Sequence, residues 1–81
     1  QNFPNPFNPQ TVVRYALPVA GNVKLEVFNT LGVKVAELVN SEMPAGEHSV
    51  VFDASGLPSG NYFYRLNTEG FVQVRKLTLI K

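Results

Sequence analysis

Apolar and polar residues alternate along five stretches of this chain. Val13, Tyr15 and Leu17 share one parity, against Val12, Arg14 and Ala16 on the other. Val23, Leu25 and Val27 alternate with Lys24, Glu26 and Phe28. His48, Val50 and Phe52 alternate with Ser49, Val51 and Asp53, and Tyr62, Tyr64 and Leu66 with Phe63, Arg65 and Asn67. In the last stretch Phe71, Gln73, Arg75, Leu77 and Leu79 alternate with Val72, Val74, Lys76, Thr78 and Ile80. Side chains on an extended chain point to opposite faces with a period of two, so each stretch predicts a half-buried strand. Val, Tyr, Phe and Thr dominate these stretches, as pleated packing favours. No window carries a helical period.

Turn-forming clusters separate the stretches, at 18–22, 29–32, 40–46, 55–61 and 67–70. Short strands at even spacing between Gly/Pro turns predict an antiparallel sandwich or small barrel of about six or seven strands. Asn29-Thr30-Leu31-Gly32 and Asn67-Thr68-Glu69-Gly70 each end in glycine, which supplies a positive φ to close a hairpin. In the longer corner from Phe52 to Gly60, Asp53 and Ser55 are placed to accept backbone N–H groups, and Leu57 to plug the sandwich end. The start differs. Pro4, Pro6 and Pro9 lack a donor and push their predecessors towards extended geometry. Residues 1–9 therefore predict an extended lead-in anchored by Phe3 and Phe7, and residues 10–81 the sandwich, in a single domain.

Composition narrows the function classes. With 81 residues, a chain buries only about 60% of its unfolded surface and has no second domain to form a cleft against. Seven basic and six acidic residues leave a net charge of +1, which gives no bulk attraction for nucleic acid or an anionic membrane. The absence of cysteine excludes disulfides, thiolate nucleophiles and Cys-ligated zinc. No apolar run reaches the roughly 20 residues needed to span a bilayer as a helix. Gln1-Asn2-Phe3-Pro4 resembles neither an initiator start nor a leader, so the chain reads as the end of a longer protein.

Catalytic chemistry is not expected. His48 shares parity with Phe52, while Asp53 lies on the opposite parity, so the two do not pair as base and orienting acid within one strand. Ser49, Ser55 and Ser59 lack a nucleophile-elbow context. Glu26, Glu37, Glu42, Glu47, Asp53 and Glu69 are scattered, without calcium-loop spacing, and read as solvated carboxylates. Neither a metal nor a cofactor is expected. From Arg65 onwards four basic residues face Glu69 alone, which makes the last strand a basic edge. Edge cations also guard against unwanted strand pairing.

The ordered motifs are more specific. Asn2-Phe3-Pro4-Asn5-Pro6-Phe7-Asn8-Pro9, followed by Thr11-Val12-Val13-Arg14-Tyr15-Ala16-Leu17-Pro18, resembles the opening of the type A C-terminal sorting domains of the type IX (Por) secretion system. The resemblance continues through Gly21-Asn22-Val23, the Val27-to-Gly32 hairpin, Ala45-Gly46-Glu47-His48 and the run from Phe52 to Leu66. It closes with Lys76-Leu77-Thr78-Leu79-Ile80-Lys81. Asn61 stands where that family commonly has a branched apolar residue, and Val72 and Val74 where small polar ones are frequent. The two valines make the final strand stickier.

This resemblance implies an Ig-like β-sandwich at the C-terminus of a larger cargo, similar also to the Ig-like domain of flagellar hook-cap proteins. It implies a non-catalytic sorting signal that directs the cargo from the periplasm across the outer membrane, to secretion or the cell surface, and is usually removed afterwards. The implied partners are the outer-membrane translocon, a surface sortase and the upstream cargo domains, with no nucleic acid and no direct membrane span. Pro4, Asn5, Pro6, Phe7, Gly60, Tyr62, Lys76, Leu77 and Lys81 are the candidate recognition residues. Edge-strand addition supplies a mechanism: backbone hydrogen bonds give affinity and alternate side chains give specificity. The rival readings are a carbohydrate-binding module, with Tyr62, Phe63 and Tyr64 as an aromatic platform, and a structural Ig-like accessory module.

Overall fold

The structure is a computed structural model and describes residues 10–80. Six strands follow one another: β1 (Gln10–Leu17), β2 (Gly21–Asn29), β3 (Lys34–Met43), β4 (Gly46–Asp53), β5 (Gly60–Thr68) and β6 (Val72–Leu79). All pairing is antiparallel: β1 with β4 in one sheet, and β3-β2-β5-β6 in the other. The expected all-β sandwich is present, with no helix among the described residues.

The period-two pattern explains the core. Val13, Tyr15 and Leu17 of β1 and Phe52 of β4 meet Val23, Leu25 and Val27 of β2, Tyr62 and Leu66 of β5, and Leu79 of β6. Leu25 and Val27 are fully buried, and each such side chain contributes about 1.5–3 kcal/mol relative to exposure. Leu57 packs against this cluster from the corner after β4, where it was expected to close the sandwich end.

β3 departs from the alternating stretches. Its register against β2 slips between Leu25 and Glu26 and again between Val27 and Phe28, so Leu38 and Val35 have no partner of their own. Each slip inserts an extra residue and breaks the period, which hides the strand behind the doublets Val35-Ala36 and Leu38-Val39. The turn expected at 40–46 is correspondingly shorter: Asn40 through Met43 continue β3, and the chain reverses at Pro44-Ala45.

The turns use different devices. Asn29 Oδ1 accepts from the N–H groups of Leu31 (2.9 Å) and Val33 (3.0 Å), while Gly32 adopts φ +83°. That left-handed residue is why glycine ends the link. The 67–70 link differs from expectation, because Gly70 is not among the positive-φ glycines. There Thr68 Oγ1 accepts from Gly70 N–H (3.2 Å) and Phe71 N–H (3.0 Å), so a hydroxyl shapes the turn instead. Asp53 Oδ1 accepts from Ser55 N–H at 3.0 Å, as its position in the long corner suggests.

Two strands cannot cover four. β4 approaches β3 at one side of the sandwich. At the other, β6 has only Leu77 and Leu79 turned into cover, and its residues 72–76 are exposed on both faces. The final strand is thus anchored at its C-terminal half and open at its N-terminal half.

Candidate functional site

Residues that could carry chemistry are held in structural contacts. The His48 ring stacks on Tyr15 with centroids 5.2 Å apart, and its Nε2–H donates to the Pro44 carbonyl at 2.7 Å. Asp53 is engaged with the Ser55 backbone. His48 is the half-buried strand histidine that its parity predicts. Among the described residues no three His, Asp or Glu side chains gather as metal ligands.

One carboxylate overturns the expectation of solvated acids. Glu26 lies on the polar parity of β2 yet is only 4% exposed. Arg65 Nη2 donates to its Oε1 at 3.0 Å from the neighbouring strand, Lys34 Nζ lies 3.3 Å from its Oε2, and Lys24 Nζ lies at 3.8 Å. The Arg65 guanidinium also stands 4.8 Å above the Phe28 ring, a cation–π geometry that roofs the carboxylate. Burial pushes the Glu26 carboxyl up, but the hydrogen bonds from Arg65 and Lys34 and the charge of Lys24 outweigh it and hold it below the ordinary range. Sequence spacing gave no sign of this cluster, because Arg65 is 39 residues from Glu26 and only strand register brings them together.

The candidate recognition residues fall into separate places. Pro4, Asn5, Pro6, Phe7 and Lys81 lie outside the described residues, as does the lead-in at 1–9. Gly60 opens β5 opposite Leu79 and takes φ +151°, a value side-chain-bearing residues rarely adopt. Tyr62 is buried, and its hydroxyl donates to the Pro58 carbonyl at 2.7 Å. This hydrogen bond back across the corner locks the entry to β5. Leu77, opposite Tyr62 on β6, is half-buried against the core, whereas Lys76 is exposed on the outer face opposite Phe63.

The basic edge read from the sequence divides in three dimensions. Arg65 is committed to Glu26 on the inner strand β5. Arg75 and Lys76 sit on β6 but point to opposite faces, since they are adjacent on a strand. Val72 and Val74 are 59% and 58% exposed beside Lys76 on the outer face, so the open half of β6 presents apolar and cationic groups together. The aromatic platform is not formed: Tyr62 is buried, Tyr64 packs against the core, and Phe63 faces the other way.

A sandwich with an open edge strand, and with no reactive group assembled among the described residues, suits recognition by other proteins. The whole chain, residues 1–81, matches the family described as the secretion system C-terminal sorting domain, and it belongs to that family. No curated relative and no solved structure matches the chain. Domains of this family are C-terminal sorting signals for type IX secretion and are non-catalytic in themselves. They send the protein that carries them across the outer membrane, to be secreted or attached at the surface.

Proposed function

We propose that this domain acts as a grip for the outer-membrane translocon, and that a surface sortase removes it once the cargo has crossed. The open half of β6 carries this reading. An edge strand exposed on both faces offers a row of backbone donors and acceptors that is unpaired among the described residues, with Lys76 projecting beside Val72 and Val74. A partner strand added there gains main-chain hydrogen bonds, and the lysine heads steer its approach. Gly60, Tyr62 and Leu77 support the grip from behind by fixing the β5 entry against the end of β6. Pro4, Asn5, Pro6, Phe7 and Lys81 complete the proposed recognition set.

The test is export of a cargo fused to the 81-residue domain. Removing residues 77–81 takes away Leu79, which is 6% exposed in the core, so truncation also attacks the fold. Lys76→Ala with Lys81→Ala separates the two effects. Reduced export with an unchanged thermal midpoint supports the reading, and unchanged export overturns it.

A further inference from the structure

An open groove of about 900 Å³ runs between β1 and β6, walled by Arg14, Tyr15, Glu47, Tyr64, Phe71 and Arg75 among others. Two of its walls are strands with an unpaired edge among the described residues: β1 pairs only with β4, and β6 only with β5. Arg14 and Arg75 are exposed and make no ion pair among the described residues, unlike Arg65, Lys24 and Lys34 around Glu26. Glu47 is the one acid on the groove wall, which leaves the lining basic. Tyr64 and Phe71 add apolar surface between the charges.

We propose that this groove is a second binding site, taking an extended acidic segment of a partner protein as an added strand along β1. The reach fits: residues 14–17 of β1 span about 10 Å at about 3.3 Å per residue, the length of a short strand. Backbone pairing along β1 supplies affinity without regard to sequence, and carboxylates on the guest meet the forked donors of Arg14 and Arg75. Charge argues for a partner over this chain's own remaining segments. Neither residues 1–9 nor Lys81 contains an acid, and three of those first nine residues are prolines, which cannot donate to a ladder. The guest's ladder runs along β1, in the two-stranded sheet, whereas the sorting proposal pairs a partner along β6, in the four-stranded one, so the two use different strand edges.

The 81-residue chain, isotopically labelled, is titrated with a fluorescent peptide of about eight residues alternating Glu and Val, and with its Lys-for-Glu counterpart. The acidic peptide is expected to shift the amide signals of residues 14–17 and 73–75 and to bind at least about tenfold more tightly than the basic one. Arg14→Glu combined with Arg75→Glu is expected to lower that affinity by about tenfold or more while the unfolding midpoint holds, and added salt to weaken it. Equal binding of both peptides, indifference to the double charge reversal, or shifts confined to residues 72–80 with none at residues 14–17 would overturn the proposal. So would self-association that shifts the same amides without peptide, since the occupant would then be a second copy. Export of a fused cargo by the Arg14/Arg75 variant is read separately, so failure here leaves the sorting edge standing.

Discussion

β2 and β6 belong to the same sheet and differ in almost every physical respect. β2 is flanked by β3 and β5 and covered on both faces: Val23, Leu25 and Val27 face the opposing sheet, and Glu26 lies under Arg65 and Lys34. Among the described residues β6 has one neighbour, and residues 72–76 are exposed on both faces. The interior strand satisfies its charges within the molecule, whereas the edge strand leaves Arg75 and Lys76 without an ion pair among the described residues. Core side chains are concentrated in β2, and the proposed contact surface lies on a strand that contributes little to the core. A sorting signal would benefit from that division, because the surface proposed to meet partners is not the part that holds the fold.

Leu25→Ala is the harshest test of this contrast. Leu25 is fully buried at the centre of β2, and its truncation is expected to cost about 2–5 kcal/mol, a large share of the stability of so small a domain. Chemical denaturation should show the midpoint falling with an unchanged slope. A loss below about 1 kcal/mol would mean that β2 is not the keystone.

Glu26→Gln sharpens the outer face. The substitution keeps the shape but removes the charge that meets Arg65, Lys34 and Lys24. Those cations are 42–46% exposed and can be rehydrated, so the expected loss at neutral pH is about 1–2 kcal/mol and not the larger cost of a fully buried broken pair. Because the folded-state pKa of Glu26 is lowered, its contribution is complete above the unfolded value of about 4.3 and disappears as pH falls through the folded value. Thermal midpoints of the two proteins should therefore differ at pH 7 and converge in acid. A gap that stays constant with pH would assign the effect to packing.

Tyr62→Phe probes where the two regions join, since Tyr62 lies opposite Leu77 at the anchored end of β6. Loss of the hydroxyl donor to Pro58 is expected to cost about 1 kcal/mol, seen as a drop of about 4–8 °C in the thermal midpoint. No change would mean that the corner bond is replaced by water.

Much of β2 and of β5 was legible in the sequence, for a physical reason. Val23, Leu25 and Val27 alternate without interruption, and so do Tyr62, Tyr64 and Leu66, because both strands keep regular pairing with each other. β3 was not legible, since its slips beside Glu26 and Phe28 put two apolar residues in succession. The recognition candidates at Gly60 and Tyr62 stood out through turn chemistry, which is local. The Glu26–Arg65 pair and the meeting of Arg14 with Arg75 across a groove depend on register and sheet packing, which spacing along the chain does not encode. The open half of β6 lay hidden for a related reason. Its alternation resembles that of a covered strand, and the count of two strands over four is what leaves it exposed among the described residues.

The smallest expected effects bear most directly on the contrast. Val74→Ala and Arg75→Ala each remove a side chain from the open half of β6, one from each face. Val74 is 58% exposed, so its truncation gives up little burial and only a few tenths of a kcal/mol of strand preference. Arg75 has no ion pair to lose among the described residues. Both variants are expected to stay within about 0.5 kcal/mol of the parent in denaturant titrations. Amide exchange on the parent supplies the matching kinetic observation: residues 72–76 should exchange faster than residues 23–27, because opening an edge costs less than opening a strand paired on both sides. If either substitution cost as much as Glu26→Gln, or if the two segments exchanged at the same rate, β6 would belong to the stabilising framework. Its exposed half would then not be a surface that other proteins can load without disturbing the fold.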